Sequence, residues 1–583
     1  MNGPVSSAGR RSRSRQRREV VGAGARRSTL GVLVARAAVG PPRRLVTQRA
    51  LHALLRTVIA AALAVPFAMA WGVGHARIED YLGPHRARFA ADYNGEIKVD
   101  LGPIGNAYLP SPVEPIGLTI TVGGVGQTSE SLASFFSEST LAAYAGLYEE
   151  PNEVISGVVE RLEVDALKRS LRAEAVLLIL FASWLLRRQL WAPWLVGHIS
   201  RRRVAGVYVA ITAVILGSIL APRPVQGVRI PVDVAYGTRF AKLSVDSLLL
   251  SDLLDRGIQG IRLLSQRQQS AVQSYIDDAT ASLATQFSRL PQAAHSETMI
   301  MGFSDLHCNQ AMTELITRLA RVTSPRLVLS SGDDTVNGTA VERGCIRRES
   351  KINGNVPFVV ATGNHDSDVT ESQMRSDKMV VLDGAIIKAD AVDILGDDDP
   401  EHNVPFSVDR TRDRPESEEQ MAERLINIAR SRHVDVILVH QPACSVVIMK
   451  TPDPPVRLVL WGHMHVQDGP MVVRHDDGSW TVGMQEGTAG GVRQPLFTSF
   501  STPFSPPLIR ADVYFYFRDD ATGLITGVQP VHFLPNGRVV IDSRIATGDL
   551  AALPEETRAK LGAGSRSPPA ESLSETPASA APR

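Results

Sequence analysis

The sequence predicts an α/β domain in its C-terminal half, preceded by membrane-spanning helices and a small β-rich region. Three observations carry this. Five short apolar runs between 298 and 465 each end on His, Asp or Asn. Uncharged stretches of membrane-spanning length lie in the first 222 residues. Between them, residues 78–125 run in short alternating pieces broken by Gly and Pro. The chain has 583 residues, enough for several domains. Its 44% hydrophobic content excludes wholesale disorder, and three cysteines exclude a small disulfide-built scaffold.

The net charge of +1 is an average over unlike parts. Residues 1–49 hold twelve Arg against Glu19 alone, a local +11 that leaves −10 for the remainder. This arm, 1–50, reads as a disordered cytoplasmic tail. The uncharged run 57–74 follows it, 18 residues that nearly span a hydrocarbon core of about 30 Å. The first transmembrane helix is placed at 51–74. A cleaved signal peptide is the rival, because Ala68-Met69-Ala70 fits a small-x-small cleavage site.

A second apolar segment, 173–186, is short, with Glu174 at one end and Arg187 and Arg188 at the other. Trp184, Trp191 and Trp194 gather at its end as interfacial aromatics do. It is placed as a helix over 173–190. The third, 204–222, is uncharged. The loop between them carries Arg187, Arg188, Arg201, Arg202 and Arg203 without an acid, which puts it and the arm on the cytoplasmic side. Three spans leave 75–172 and everything after 223 outside. If 173–186 does not span, the C-terminal domain falls inside.

Residues 75–172 read as an extracytoplasmic β-rich and helical module without a catalytic constellation. Residues 223–295 read as a helical linker or stalk. Within 243–290, Ile258, Ile261, Leu264, Val272, Tyr275, Ile276, Ala279, Leu283 and Phe287 recur at three- and four-residue steps. That stripe fits packing on its own domain or a homodimer. The main domain is placed at 296–550, and 551–583 reads as a disordered tail rich in Ala, Pro and Ser. No nucleic-acid-binding module is evident, and membrane lipids are the expected contacts of the arm.

The chemistry lies in 298–492. The run 298–303 closes on Ser304-Asp305-Leu306-His307, and alternate strand positions face one side, so Asp305 and His307 can reach one ion together. Run 326–331 ends at Gly332-Asp333, and 356–362 at Gly363-Asn364-His365-Asp366. Run 434–439 ends at His440, and 456–461 at Gly462-His463-Met464-His465. Polar groups at the carboxyl ends of apolar strands are how open α/β sheets build sites. Imidazole nitrogen with carboxylate and amide oxygen suits Mn, Fe or Zn rather than thiolate-preferring ions. Seven such ligands are too many for one ion and right for two sharing a carboxylate.

In this order the motifs resemble the calcineurin-like metallophosphoesterase superfamily over some 200 to 240 residues. The runs Asp305-Leu306-His307-Cys308-Asn309, Asn337-Gly338-Thr339 with Glu342, and Gly487-Thr488-Ala489-Gly490-Gly491 resemble its actinobacterial membrane-anchored members. The resemblance implies a four-layer α/β/β/α sandwich and a dinuclear centre. Asp305, His307 and His465 would hold one ion, and Asn364, His440 and His463 the other. Asp333 would bridge both. His365 would stand outside the ligand sphere near the leaving group, oriented by Asp366. Two divalent ions would activate a bridging water to hydroxide, which attacks phosphorus in line. The family often has an acid or Asn three residues after the bridging Asp; here that place is Val336, and Asp334 or Asn337 stand nearby.

Other residues stay open between readings. His433 fits a surface histidine. His402 fits either a loop or a substrate contact, and Arg493 either a phosphate contact or a solvated side chain. Cys308 and Cys345 fit a disulfide outside the cell or two free thiols, with Cys444 left over. The chain therefore reads as a membrane-anchored phosphomonoesterase or phosphodiesterase, its substrate a lipid- or cell-wall-linked phosphate or a soluble nucleotide. The alternatives are a non-catalytic binding protein that keeps a phosphoesterase-like domain, and a cytoplasmic-facing nucleotide phosphodiesterase.

Overall fold

A computed structural model of the chain describes residues 43–83, 85–123, 144, 151–185, 206, 208–214, 217, 227–232, 242–405, 409–412, 414–493 and 505–558. Most of the basic arm, most of the third apolar segment and the tail beyond 558 lie outside these residues. The chain divides into two compact units, 1–64 with 176–199, and 65–175 with 200–583.

Helix α1 (Arg43–Gly74) is rich in Ala and Leu, both strong helix formers. Its stretch Leu51–Gly74, 24 residues with mean hydropathy 1.9, is long and apolar enough to cross a membrane. Leu51, Leu54, Leu55 and Val58 on it are exposed. Helix α2 (Pro151–Leu185) opens on a proline, whose missing N–H costs nothing in the first turn. The second apolar segment, expected as a separate span, continues this helix from the expected module helix without a break. Of the third segment, 206, 208–214 and 217 are helical.

The β-rich region forms one sheet. It holds β1 (Arg77–Leu82), β2 (His85–Asp92), β3 (Glu96–Asp100), β4 (Asn106–Pro110) and β5 (Gly117–Val122). It also takes β6 (Ile230–Pro231) and β7 (Ser244–Val245), in the order β1-β2-β5-β3-β4-β7-β6. Residues 223–295 are therefore not a purely helical linker. Strands two residues long leave no alternation to read.

Helix α3 (Leu248–Thr285) follows, capped by Ser247, whose hydroxyl accepts from Leu250 N. Leu250 and Ile258 pack in the small sheet's core, while Tyr275, Ile276, Ala279 and Leu283 pack in the core of the main domain. Part of the periodic stripe is thus buried within its own chain, while Phe287 at its end is exposed.

In the main domain, β8 (Glu297–Phe303), helix α4 (Gln310–Thr323), β9 (Leu327–Ser330), helix α5 (Arg343–Glu349), β10 (Phe358–Val360), helix α6 (Asp368–Ser376) and β11 (Val380–Val381) follow in sequence. Strands β8 to β11 run parallel. Strands β12 (Ile387–Ala389) and β13 (Val392–Gly396) start a second sheet, and β14 (Glu401–Asn403) pairs with β15 (Arg410–Arg412) as a separate ribbon. Helix α7 (Glu418–Ser431), β16 (Val436–Leu438), helix α8 (Pro442–Lys450), β17 (Leu458–Trp461), β18 (Asp468–Arg474) and β19 (Trp480–Gln485) complete the second sheet, ordered β12-β13-β16-β17-β19-β18. The first sheet closes with β20 (Ala511–Asp519), β21 (Ile525–Phe533), β22 (Val539–Ile541) and β23 (Ile545–Ala546), before helix α9 (Thr547–Ala552).

The two sheets bury a shared core. Ile300, Leu329, Val359, Tyr514 and Tyr516 of one meet Ile394, Val436, Leu458 and Val482 of the other. Helices α3 and α4 cover the outer face of the first sheet, and α7 and α8 that of the second. The layers are helix, sheet, sheet, helix. Residues buried on both faces explain why these strands read as unbroken apolar runs.

Candidate metal centre

All the strand-end residues singled out in the sequence lie on loops leaving β8, β9, β10, β16 and β17 at their carboxyl ends. The loops are tightly wound. Asp305, His307, Asp333, His463 and His465 have φ of 55°, 46°, 57°, 72° and 57°, the left-handed region that non-glycine residues seldom adopt. Gly462 is required by close approach, because a Cβ there would lie 1.8 Å from Ser304 Oγ and 2.5 Å from Asp305 Oδ2.

Two groups converge. Asp305, His307 and His465 form one, and Asp333, His440 and His463 the other, each with its ligand atoms within 4.8 Å of one another. Asp333 Oδ2 lies 3.1 Å from His440 Nε2 and 3.9 Å from His307 Nε2, so one oxygen faces both groups. Asp333 Oδ1 accepts from His365 N at 2.8 Å. Asn364 is buried on the adjoining loop, its Oδ1 3.4 Å from Gln441 Nε2.

The ring orientations fit metal ligation. His307 Nδ1 donates to Thr335 O at 3.0 Å, His440 Nδ1 to Ser331 O at 2.7 Å, and His465 Nδ1 to Val492 O at 2.7 Å. Each bond leaves the Nε2 lone pair pointing inward. His307 Nε2 and His465 Nε2 stand 3.1 Å apart, and Asp305 Oδ1, which accepts no hydrogen bond, is 3.2 Å from His465 Nε2. Electron-rich atoms gathered this closely in a buried site call for a cation, and the donor set suits Mn, Fe or Zn.

The charges agree. Burial pushes the Asp333 and Asp305 carboxyls up, but His440 and His465 outweigh it and hold them below the ordinary carboxylate range. Burial pushes His307 down to about 3. Burial also opposes protonation of His440, yet the Asp333 carboxylate prevails and raises it to about 10. A divalent ion would take the place of that proton.

One expected role is corrected. Asp366 does not hold the His365 ring; its carboxylate accepts from Gly363 N, Thr335 N and Thr335 Oγ1 at 3.0, 2.9 and 2.8 Å, bracing two ligand loops. His365 Nδ1 instead donates to the Val336 carbonyl at 2.7 Å, and Asn403 Nδ2 donates to its Nε2 at 2.8 Å. At position 336, where the resemblance leads one to expect an acid or Asn, it is the main-chain carbonyl that orients the His365 ring. Asp334 points elsewhere, accepting from Ser330 Oγ at 2.7 Å.

The accompanying motifs brace the centre. Glu342 Oε1 accepts from Val336 N at 2.8 Å and Asn337 N at 3.1 Å, and Oε2 from Thr339 N at 2.8 Å. It fixes the loop whose carbonyls orient His307 and His365. In 487–491, Thr488 Oγ1 donates to Asp305 O at 2.7 Å and Ala489 N to Ser304 O at 2.7 Å. Cys308 and Cys345 form a disulfide, with Cα atoms 5.1 Å apart, tying the His307 loop to α5. Cys444 is free and buried.

His402 is buried, and its Nδ1 donates to Asp366 O at 2.6 Å. His433 is exposed and 3.2 Å from Asp435, and Arg493 is exposed. The sequence reading missed Asn403, which ends the short β14, and Gln441, which directly follows His440.

The calcineurin-like phosphoesterase family matches residues 298–467. No curated protein matches the chain. Among solved structures, the chain is similar to the NAD nucleotidase of Haemophilus influenzae, with 13% identity, 42% of this chain and 55% of that chain covered, and a TM-score of 0.26. A novel archaeal phosphodiesterase gives 12% identity, 42% and 99% coverage and a TM-score of 0.23. A metallophosphoesterase from Sphaerobacter thermophilus gives 15%, 46%, 99% and 0.20. The chain spans about half the length of that nucleotidase. At these identities the likenesses say nothing of substrate.

Proposed function

We propose, on the premise that residues 298–467 form a calcineurin-like phosphoesterase domain, that the chain is a membrane-anchored phosphoester hydrolase with a dinuclear metal centre. The observation that carries this is the pair of adjoining ligand groups with Asp333 Oδ2 facing both.

Asp305, His307 and His465 are assigned to one divalent ion, Asn364, His440 and His463 to the other, and Asp333 to both. Bound there, the ions supply Lewis-acid activation of water and neutralise phosphoryl charge. The carbonyls of Thr335, Ser331 and Val492 keep three imidazoles in the ligating tautomer. His365, edge-on to His307 with ring centroids 5.1 Å apart, is assigned to the leaving-group side of the centre, where Asn403 has to release Nε2 before that nitrogen can serve a phosphoryl or departing oxygen. The Asn403 amide supports either proton state of that ring: it donates to the neutral nitrogen and, turned over, accepts from the protonated one.

The arm of twelve Arg and the apolar stretch Leu51–Gly74 support anchoring. The disulfide supports a domain outside the membrane, where such bonds persist. Anchoring brings lipid- or cell-wall-linked phosphates within reach. The test is hydrolysis of a phosphoester panel, including bis(p-nitrophenyl) phosphate, with Mn and Zn compared. Turnover that needs added metal supports the reading, and no turnover with either metal refutes it. Reporter fusions on either side of 173–203 test the orientation: a periplasmic-type signal after 223 supports it and a cytoplasmic one refutes it.

A further inference from the structure

The hairpin of β14 and β15 lies against the centre. Asn403 N donates to Asn364 O at 2.7 Å, and Asn403 Nδ2 reaches His365. Asn403 and Arg410 are direct cross-strand partners, and so are Glu401 and Arg412. Partners in an antiparallel pair point to the same face, and so do positions two apart on one strand. Glu401, Asn403, Arg410 and Arg412 therefore share the face that Asn403 turns towards His365.

Arg410 is thereby placed on the side of the hairpin that meets His365. Its side chain is 45% exposed, the condition for meeting a ligand from solvent. It is only loosely tied: NH1 is 3.6 Å from Glu401 Oε2, while the other Glu401 oxygen accepts from Arg412 at 2.7 Å. One carboxylate thus serves two guanidinium groups. The face keeps positive charge beside a site built for a phosphate.

We propose that this hairpin is the substrate-selecting wall of the centre, and that Arg410 binds a second anionic group which the substrate carries beyond its scissile phosphate. The proposal rests on the hydrolase reading above and narrows it to phosphoesters with a further phosphate or carboxylate. A guanidinium suits either, because its fork of donors matches both geometries.

The test uses two non-hydrolysable probes, methylphosphonate and phosphonoacetate, which differ by one carboxylate. Each is titrated into the full-length, metal-loaded protein and into Arg410→Gln, with metal content measured in both. The expected result is a fall of about tenfold in phosphonoacetate affinity and of less than threefold in methylphosphonate affinity. Arg410→Lys should recover part of the loss. Equal falls for both probes, or no fall for phosphonoacetate, would overturn the proposal. Hydrolysis of bis(p-nitrophenyl) phosphate by the wild type is measured alongside. Its absence would count against the hydrolase reading, while the two affinities still decide the role of Arg410.

Discussion

At the residue scale, the site is held as much by main-chain carbonyls as by side chains. Three imidazoles and His365 each spend Nδ1 on a carbonyl, which fixes the direction of Nε2. Away from the centre, Glu297 shows how a single carboxylate couples the fold to pH. The Arg544 hydrogen bonds hold its carboxyl down at about 2, against burial, from an ordinary 4.5. A depressed carboxyl pKa contributes stability above the unfolded value that is lost as pH falls through the folded one. Stability of the wild type should therefore drop between about 4.5 and 2, and Glu297→Gln should flatten that slope in denaturant titrations across the range. An unchanged slope would remove the pair from the acid response. The Asp and His residues of the two converging groups were legible because each follows an apolar run at a strand's end. Val336 O was not, since a carbonyl leaves no mark in a sequence, and neither was Asn403, which reaches His365 from 38 residues away.

At the element scale, α2 docks on the segment that carries the bracing Glu342. Arg343 pairs with Glu160 at 3.1 Å and with Asp377, and Arg347 with Glu153 at 2.7 Å. Asp80 of β1 accepts from Ala340 N at 3.2 Å and pairs with Arg161. Gly157 makes the docking possible, because a Cβ there would lie 1.9 Å from Ala340 O. Gly157→Ala should destabilise the protein by about 1–3 kcal/mol through overpacking against main chain. Chemical denaturation measures this, and a neutral result would mean that α2 stands off from Ala340. The stripe on α3 shows the limit of periodicity. Three- and four-residue steps are the same whether the partner is another chain or the domain's own core, and here Tyr275, Ile276 and Ala279 meet the latter. The strands β6 and β7 were unreadable for a different reason, being held by the pairing of β7 with β4 and of β6 with β7 rather than by any pattern of their own.

At the scale of the whole molecule, the fold brings five strand ends, one hairpin and one disulfide to the same place. The disulfide closes a loop over a sequence separation of 37 residues, for which chain entropy predicts roughly 2–4 kcal/mol. Cys345→Ser should lower the melting temperature accordingly, and mass spectrometry without reductant should find Cys308 and Cys345 joined in the wild type. Two free thiols in protein from an oxidising compartment would contradict this. The near-neutral total charge resolves into a basic arm beside an apolar helix and an acidic remainder that holds the site. The most direct test of the two-ion centre is metal analysis of the purified full-length protein and of Asp333→Asn, with bis(p-nitrophenyl) phosphate turnover measured on both. The bridging role of Asp333 predicts about two divalent ions per wild-type chain, and a folded variant that loses metal and nearly all turnover. Unchanged hydrolysis in Asp333→Asn, or a wild type that is active without metal, would contradict it.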